Sequence, residues 1–251
     1  MRVWHQVSDW LEYRKTITGK SIGVVPTMGA LHRGHAALVE RCRRENDVAV
    51  VTLFVNPSQF NDPKDLEKYP RTLDADLSLL LGLGVDDVII PDAKQLYPHG
   101  YRIKLDSVDQ TPIMEQLHRP GFLQGVLTVV LKLLSVAQAH RAYFGEKDYQ
   151  QLRAVTEMVE EFFLPVQIIP CETVREESGL ALSSRNTLLS DAGRAKASII
   201  YRALTGGSSA AVATALLEAE GFVVDYVEEH WGRRFAAAFL EGVRLIDNVA
   251  I

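Results

Sequence analysis

The sequence predicts an α/β protein, with a parallel sheet domain followed by a smaller α+β domain. Three observations carry that prediction. Two apolar runs, Ser21–Val25 and Val48–Val55, read as strands, the second buried on both faces as in a parallel sheet. A helical stretch, Ala36–Asn46, lies between them, so strand, helix and strand form a βαβ unit whose crossover is right-handed by default. After about Thr173 the texture changes to polar, glycine-containing sequence, then to helices and short strands.

The remaining elements follow in order. Val7–Thr16 reads as a leading helix. Asn56–Asp65 is polar, holds two prolines and reads as a loop at the C-terminal end of the second strand, the edge where open α/β sheets bind ligands. Leu73–Leu83 is helical and ends at Gly84. Asp87–Pro91 is a third strand, and Ala93–Pro112 is irregular. Gly125–Gln138 is a strongly apolar core helix. Arg141–Phe144 is a strand that turns through Gly145–Asp148 into the helix Tyr149–Glu161, and Val166–Pro170 is a further strand. In the second domain Asp191–Leu204 and Ala210–Gly221 read as helices joined by Gly206–Ser209. Phe222–Glu228 and Val243–Asp247 read as strands. The domain boundary is placed between residues 172 and 173.

Composition excludes several function classes. With 251 residues and 47% apolar content the chain can bury a sizeable core. A net charge of −5 leaves no basic excess for general nucleic-acid binding. The two cysteines, Cys42 and Cys171, lack metal-type spacing and suit a reducing cytoplasm. The longest apolar stretch, Val126–Ala139, is interrupted by Lys132 and is too short for a bilayer, so no membrane is expected.

The chemistry centres on Pro26–His35, between the first strand and its helix. His32 and His35 stand three apart with Gly34 beside the second. A helix start offers unpaired N–H groups and the positive end of a dipole, and histidines there can donate to phosphate oxygens. The residues point to a nucleotide-phosphate site, with a structural turn as the alternative. Four more clusters follow strands or lie in loops. Gln59, in Asn56–Phe60, suits a hydroxy acid or a turn-stabilising amide. Asp74 and Asp76 follow Tyr69–Thr72 and suit magnesium or a helix start. Lys147 and Asp148 suit phosphate and ribose, or a surface ion pair. Leu182–Asn186 suits closure over a triphosphate, or a helix cap.

Together these clusters resemble the pantothenate synthetase family, ligases that join pantoate to β-alanine with ATP. The matching stretches are VVPTMGALHRGH, FVNPSQF, YPRT, RPG, YFGEKDYQQL, VRE, GLALSSRN and RLIDN, in family order from Val24 to Asn248. The resemblance implies a Rossmann-like fold of the His-x-Gly-His nucleotidyltransferases, with a C-terminal lid domain. It implies that Met28, Gly29, Ala30, Leu31, His32, Arg33, Gly34 and His35 line the ATP site. Gly145, Glu146, Lys147, Asp148, Val174, Leu182, Ser183, Ser184 and Arg185 would complete it. His35, His32, Lys147 and Arg185 would be catalytic, with His35 matching the family's proton donor. Gln59 would hold pantoate and later β-alanine, and Gln151 would hold pantoate. Magnesium would accompany ATP, with Asp76 as its ligand. The resemblance also implies a cytoplasmic homodimer.

The implied reaction has two steps. The pantoate carboxylate attacks the α-phosphorus of ATP and releases pyrophosphate. The β-alanine amine then attacks the acyl-adenylate and releases AMP. The residues by themselves leave open a nucleotidyltransferase of another acid or alcohol, or a binding module without catalysis. The sequence also departs from the family pattern. Phe122 stands where a histidine is usual, with His118 nearby, and Leu182 stands where a methionine is usual. Tyr226–Arg244 is short and reads as lacking the Ala-rich strand that precedes the last motif.

Overall fold

The computed structural model describes residues 1–60, 63–108 and 111–251. It contains two compact units. Unit 1 comprises residues 1–31, 35–145 and 150–171, and unit 2 comprises 32–34, 146–149 and 172–251.

Unit 1 begins with β1 (Arg2–Trp4), α1 (Val7–Thr16), β2 (Ile22–Thr27), α2 (Arg33–Glu45) and β3 (Val48–Leu53). A 3-10 turn at Pro57–Gln59 precedes α3 (Pro63–Lys68), α4 (Leu73–Gly82), β4 (Asp87–Ile89), α5 (Ala93–Leu96) and α6 (Met114–His118). Then come α7 (Phe122–Ala137), β5 (Arg141–Gly145), α8 (Tyr149–Glu161) and β6 (Gln167–Cys171). The six strands form one parallel sheet in the order β1-β4-β3-β2-β5-β6. The strand order reverses between β2 and β5. The turn after β2 therefore leaves the sheet at the topological switch point, where α/β sheets take ligands.

Burial explains the sheet. All six residues of β3 are buried, and β2 is buried at five of its six positions. Val25, Val51, Val88 and Tyr143 pack with Val39 and Cys42 of α2 and Leu80 of α4 in one core cluster. In α7, ten of sixteen residues are buried, including the Leu123–Val130 face, as its apolar sequence requires.

Several sequence expectations change. Strand β1 escaped notice because three residues carry no periodicity. It is held at the sheet edge by buried Asp87, whose Oδ1 accepts from Arg2 Nε at 2.8 Å and Trp4 Nε1 at 2.8 Å. Helix α2 starts at Arg33, not Ala36, which puts His35 in its first turn. The stretch Asn56–Asp65 is not all loop, since Asn56 caps the turn at Pro57–Gln59 and α3 starts at Pro63. Ala93–Pro112 contains α5, capped by Asp92, whose side chain accepts from Gln95 N. Residues 61, 62, 109 and 110 of these two stretches lie outside the described residues.

In unit 2 a 3-10 turn at Ser184–Leu188 precedes α9 (Asp191–Ala197), α10 (Ile199–Gly206) and α11 (Ala210–Ala219). Three antiparallel strands follow, β7 (Val223–His230), β8 (Arg233–Leu240) and β9 (Val243–Ala250), with β8 central. The expected single helix Asp191–Leu204 breaks at Ser198, whose hydroxyl donates to Ala195 O at 2.8 Å. An Ala-rich strand is present after all. Ala236, Ala237 and Ala238 sit fully buried in β8, and the small side chains of Ala236 and Ala238 admit the helices that cover one face of the sheet. Alanine is a weak strand former, so the sequence pattern hid this strand.

Candidate active site

Unit 1 contributes Met28, Gly29, Ala30, Leu31, His35, Gln59, Asp76, Gly145 and Gln151 of the expected site. The turn after β2 has a particular backbone. Gly29 and Ala30 both have positive φ, 81° and 51°. That backbone turns the neighbouring N–H groups of Ala30 and Leu31 toward one anion. The anion found there is Asp76, which accepts from Ala30 N at 2.9 Å, Leu31 N at 2.8 Å and the Thr72 hydroxyl at 3.2 Å. Asp76 is 4% exposed and lies in the first turn of α4. Its carboxylate is thus engaged in holding the turn. Among the described residues no group of three or more His, Cys, Asp or Glu could hold a metal ion. In this structure both Asp76 oxygens are taken by backbone N–H groups and the Thr72 hydroxyl.

Gln59 is held at both ends of its amide. Its Nε2 donates to Met28 Sδ at 3.0 Å and its Oε1 accepts from Asn56 Nδ2 at 3.1 Å. Asn56 is itself wholly buried, donating to Gly125 O at 3.1 Å and accepting from the Tyr97 hydroxyl at 3.0 Å. In the sequence Asn56 is only the first residue of the Asn56–Phe60 stretch, because the burial of its amide is a property of the fold. Gln151 is half-buried on α8, while its neighbour Gln150 is buried and bonds Glu115 N at 2.9 Å and Ile113 O at 3.1 Å.

Phe122 has a definite partner. The Arg119 guanidinium lies 3.9 Å from its ring centroid, donates to Glu115 at 3.3 Å and reaches Gln59 O at 3.3 Å. The phenyl ring is therefore a platform for an arginine that braces the Gln59 backbone.

Unit 2 brings together His32, Arg33, Gly34, Glu146, Lys147, Asp148, Val174, Leu182, Ser183, Ser184 and Arg185. Gly34 N donates to His32 Nδ1 at 3.1 Å, which leaves the His32 proton on Nε2. A Cβ at Gly34 would meet the His32 ring at 2.8 Å, so only glycine lets the ring lie back on the turn. Burial, and then the nearby Lys147 ammonium, lower the His32 pKa to about 4. His32 is therefore a neutral donor at physiological pH. Lys147 lies 3.8 Å from Asp148, and Glu146 pairs with Arg233 at 3.3 Å. Leu182 N donates to Val174 O at 3.0 Å. Ser183 caps the turn at Ser184–Leu188 by accepting from Arg185 N. Arg175, beside Val174, makes a two-pronged ion pair with buried Asp247 at 2.6 and 2.9 Å.

The sequence profile described as Pantoate-beta-alanine ligase matches residues 1–250. The chain belongs to the pantoate–β-alanine ligase family. A pantothenate synthetase of Bdellovibrio bacteriovorus is 49% identical over 250 residues, covering 100% of this chain and 99% of that protein. One from Legionella pneumophila is 45% identical, covering 99% of each. The pantoate–β-alanine ligase of Francisella tularensis, solved with β-γ ATP and β-alanine, superposes with a TM-score of 0.95. It is 39% identical and covers 100% of this chain and 97% of that one. The Thermus thermophilus pantothenate synthetase gives a TM-score of 0.91 at 41% identity, covering 100% and 99%. Family membership makes the chain an enzyme, a ligase of pantoate and β-alanine, and its Rossmann-like parallel sheet is the family's. Among the described residues no helix is long and apolar enough to cross a membrane.

Proposed function

We propose that the chain condenses pantoate with β-alanine through a pantoyl-adenylate, using ATP held by the residues assigned above. The supporting observation is the turn after β2. Its backbone is locked, His32 presents Nε2–H as a neutral donor, and His35 sits in the first turn of α2. In the first step a pantoate oxygen bonds the α-phosphorus while the bond to the β-phosphate oxygen breaks. Charge grows on the departing pyrophosphate. Lys147 and Arg185 offset it as cations, and His32 and His35 donate hydrogen bonds, so the gain is positioning and preorganised electrostatics. In the second step the β-alanine nitrogen bonds the acyl carbon, the bond to AMP breaks, and the nitrogen loses a proton.

Gln59 and Gln151 take pantoate in this reading. Asn56 holds the Gln59 oxygen, and the amide nitrogen, on Met28 Sδ in this structure, is the donor that would exchange a weak sulfur acceptor for the acid. Any magnesium is carried in on the phosphates of ATP, and no step is assigned to it. The adenylate must be kept from water, and we assign that shielding to residues 173–251. A cytoplasmic homodimer completes the reading on the family resemblance.

His35→Ala should slow single-turnover pyrophosphate release by about 10²–10⁴-fold, the usual contribution of a positioned acid or base. Gln59→Ala should raise the KM for pantoate and leave that for ATP unchanged. Near-normal pyrophosphate release in His35→Ala would remove His35 from the mechanism, and an unchanged pantoate KM would displace Gln59.

A further inference from the structure

We infer that Asn248, in the last strand, is the positioning residue of Lys147. The inference rests on the assignment of Lys147 to the ATP phosphates. Strand β9 alternates its faces. Leu245 and Val249 pack into the hydrophobic core of unit 2, and Asp247 shares their side. Asn248 points the other way, yet it is only 1% exposed. The 3-10 turn Glu146–Asp148 covers it.

The amide of Asn248 is fully used. Its Nδ2 donates to Glu146 O at 3.0 Å and to Lys147 O at 2.9 Å. Its Oδ1 accepts from Arg233 Nε at 2.6 Å. Arg233 extends the grip, with its guanidinium 4.5 Å from the Tyr149 ring centroid and a nitrogen 3.3 Å from Glu146 Oε2. A single 3-10 turn satisfies few of its own carbonyls. Here two successive carbonyls are bound from outside by one side chain. The grip takes the backbone, the Glu146 carboxylate and the Tyr149 ring, and uses neither the Lys147 ammonium nor the Asp148 carboxylate.

Only an amide can do this. Asparagine has two donors at one end and an acceptor at the other; aspartate has no donor. Asn248→Asp keeps the shape and sets an oxygen against two carbonyl oxygens. The turn must shift, and a displacement of about 1 Å at a charge-stabilising group costs about 10²-fold in rate.

The test is single-turnover pyrophosphate release from ATP and pantoate, with steady-state KM values and thermal melts. Four full-length variants are compared. Asn248→Asp should release pyrophosphate about 100-fold more slowly, with the pantoate and β-alanine KM values unchanged. Arg233→Lys, which loses the Nε–H donor to Asn248 but keeps the charge, should lose about 10-fold. Arg244→Ala removes an ion pair to Asp225 (2.7 Å) in the same sheet; it should melt earlier and keep its rate. Lys147→Ala reports on the underlying reading. If Lys147→Ala is slow while Asn248→Asp stays within about 3-fold of the parent, Asn248 positions nothing and the inference falls. Equal rate losses in Arg244→Ala and Asn248→Asp would also overturn it, because general loosening would then suffice. A normal rate in Lys147→Ala would instead remove Lys147 from the reaction. If Asn248→Asp does not fold, Arg233→Lys decides, and a parental rate there overturns the inference.

Discussion

Removing the Asp76 carboxylate should unlock the turn that carries Ala30 and Leu31. In Asp76→Ala the N–H groups of these two residues lose their acceptor in a site where Asp76 was 4% exposed. Each buried donor left unsatisfied costs about 1–3 kcal/mol. Ala30 also keeps its left-handed φ of 51°, a conformation that costs a non-glycine residue about 1–2 kcal/mol and is offset by those bonds. A loss of about 3 kcal/mol is expected, less whatever the turn recovers by relaxing. For chains of this size class that lowers Tm by about 6–12 °C, at about 2–4 °C per kcal/mol. Activity should fall as well, because His35 follows in the next turn. Differential scanning calorimetry and an AMP-release assay over a magnesium titration measure both. The reasoning gives a lower Tm and a lower kcat with the same half-saturating magnesium concentration. An unchanged Tm with a raised magnesium requirement would refute it and restore Asp76 as a metal ligand.

Two further outcomes follow from the same geometry. The His32 pKa is lowered to about 4 by burial and by Lys147, against 6.5 in the unfolded chain. Above pH 6.5 both states are neutral and the native state is undisturbed. As pH falls from 6.5 to 4 the unfolded chain takes up a proton the native chain does not, so stability drops across that window. Urea unfolding at a series of pH values should show this slope in the parent and a shallower one in His32→Gln; equal slopes would mean that His32 is not held neutral. Gly125→Ala should destabilise and raise the pantoate KM. Helix propensity alone would favour alanine by up to about 1 kcal/mol, but the new Cβ would collide with the Ser58 carbonyl and approach Gln59 Cα within 2.9 Å. Overpacking against backbone costs about 1–3 kcal/mol and displaces Gln59. A melt at or above the parent's would contradict it.

Much of the fold was legible in the chain because its signals are local. Val48–Leu53 is all buried, and so reads as a parallel-sheet strand without any partner in view. The helices α1 and α8 begin and end where their periodicity does. The family motifs pointed to the turn after β2, the Gln59 loop and the Lys147 turn. Strands β1 and β8 were missed for opposite reasons. One is too short to show a pattern, and the other is built from alanines that make sense only beneath packed helices.

What the sequence determined by itself was the family and the turns that carry its motifs, since both follow from motif and local pattern. What only the tertiary structure decided was which polar groups are already taken. Asp76 is 46 residues from Ala30 and Asn248 is 101 from Lys147, so no local pattern announces either bond. Asp76 and Lys147 are both charged groups beside a turn in the sequence. In the folded protein one is buried and satisfied by backbone N–H groups, while the other has its backbone held from outside and its ammonium 3.8 Å from Asp148. Burial and long-range hydrogen bonding make that difference, and both are properties of the packed chain.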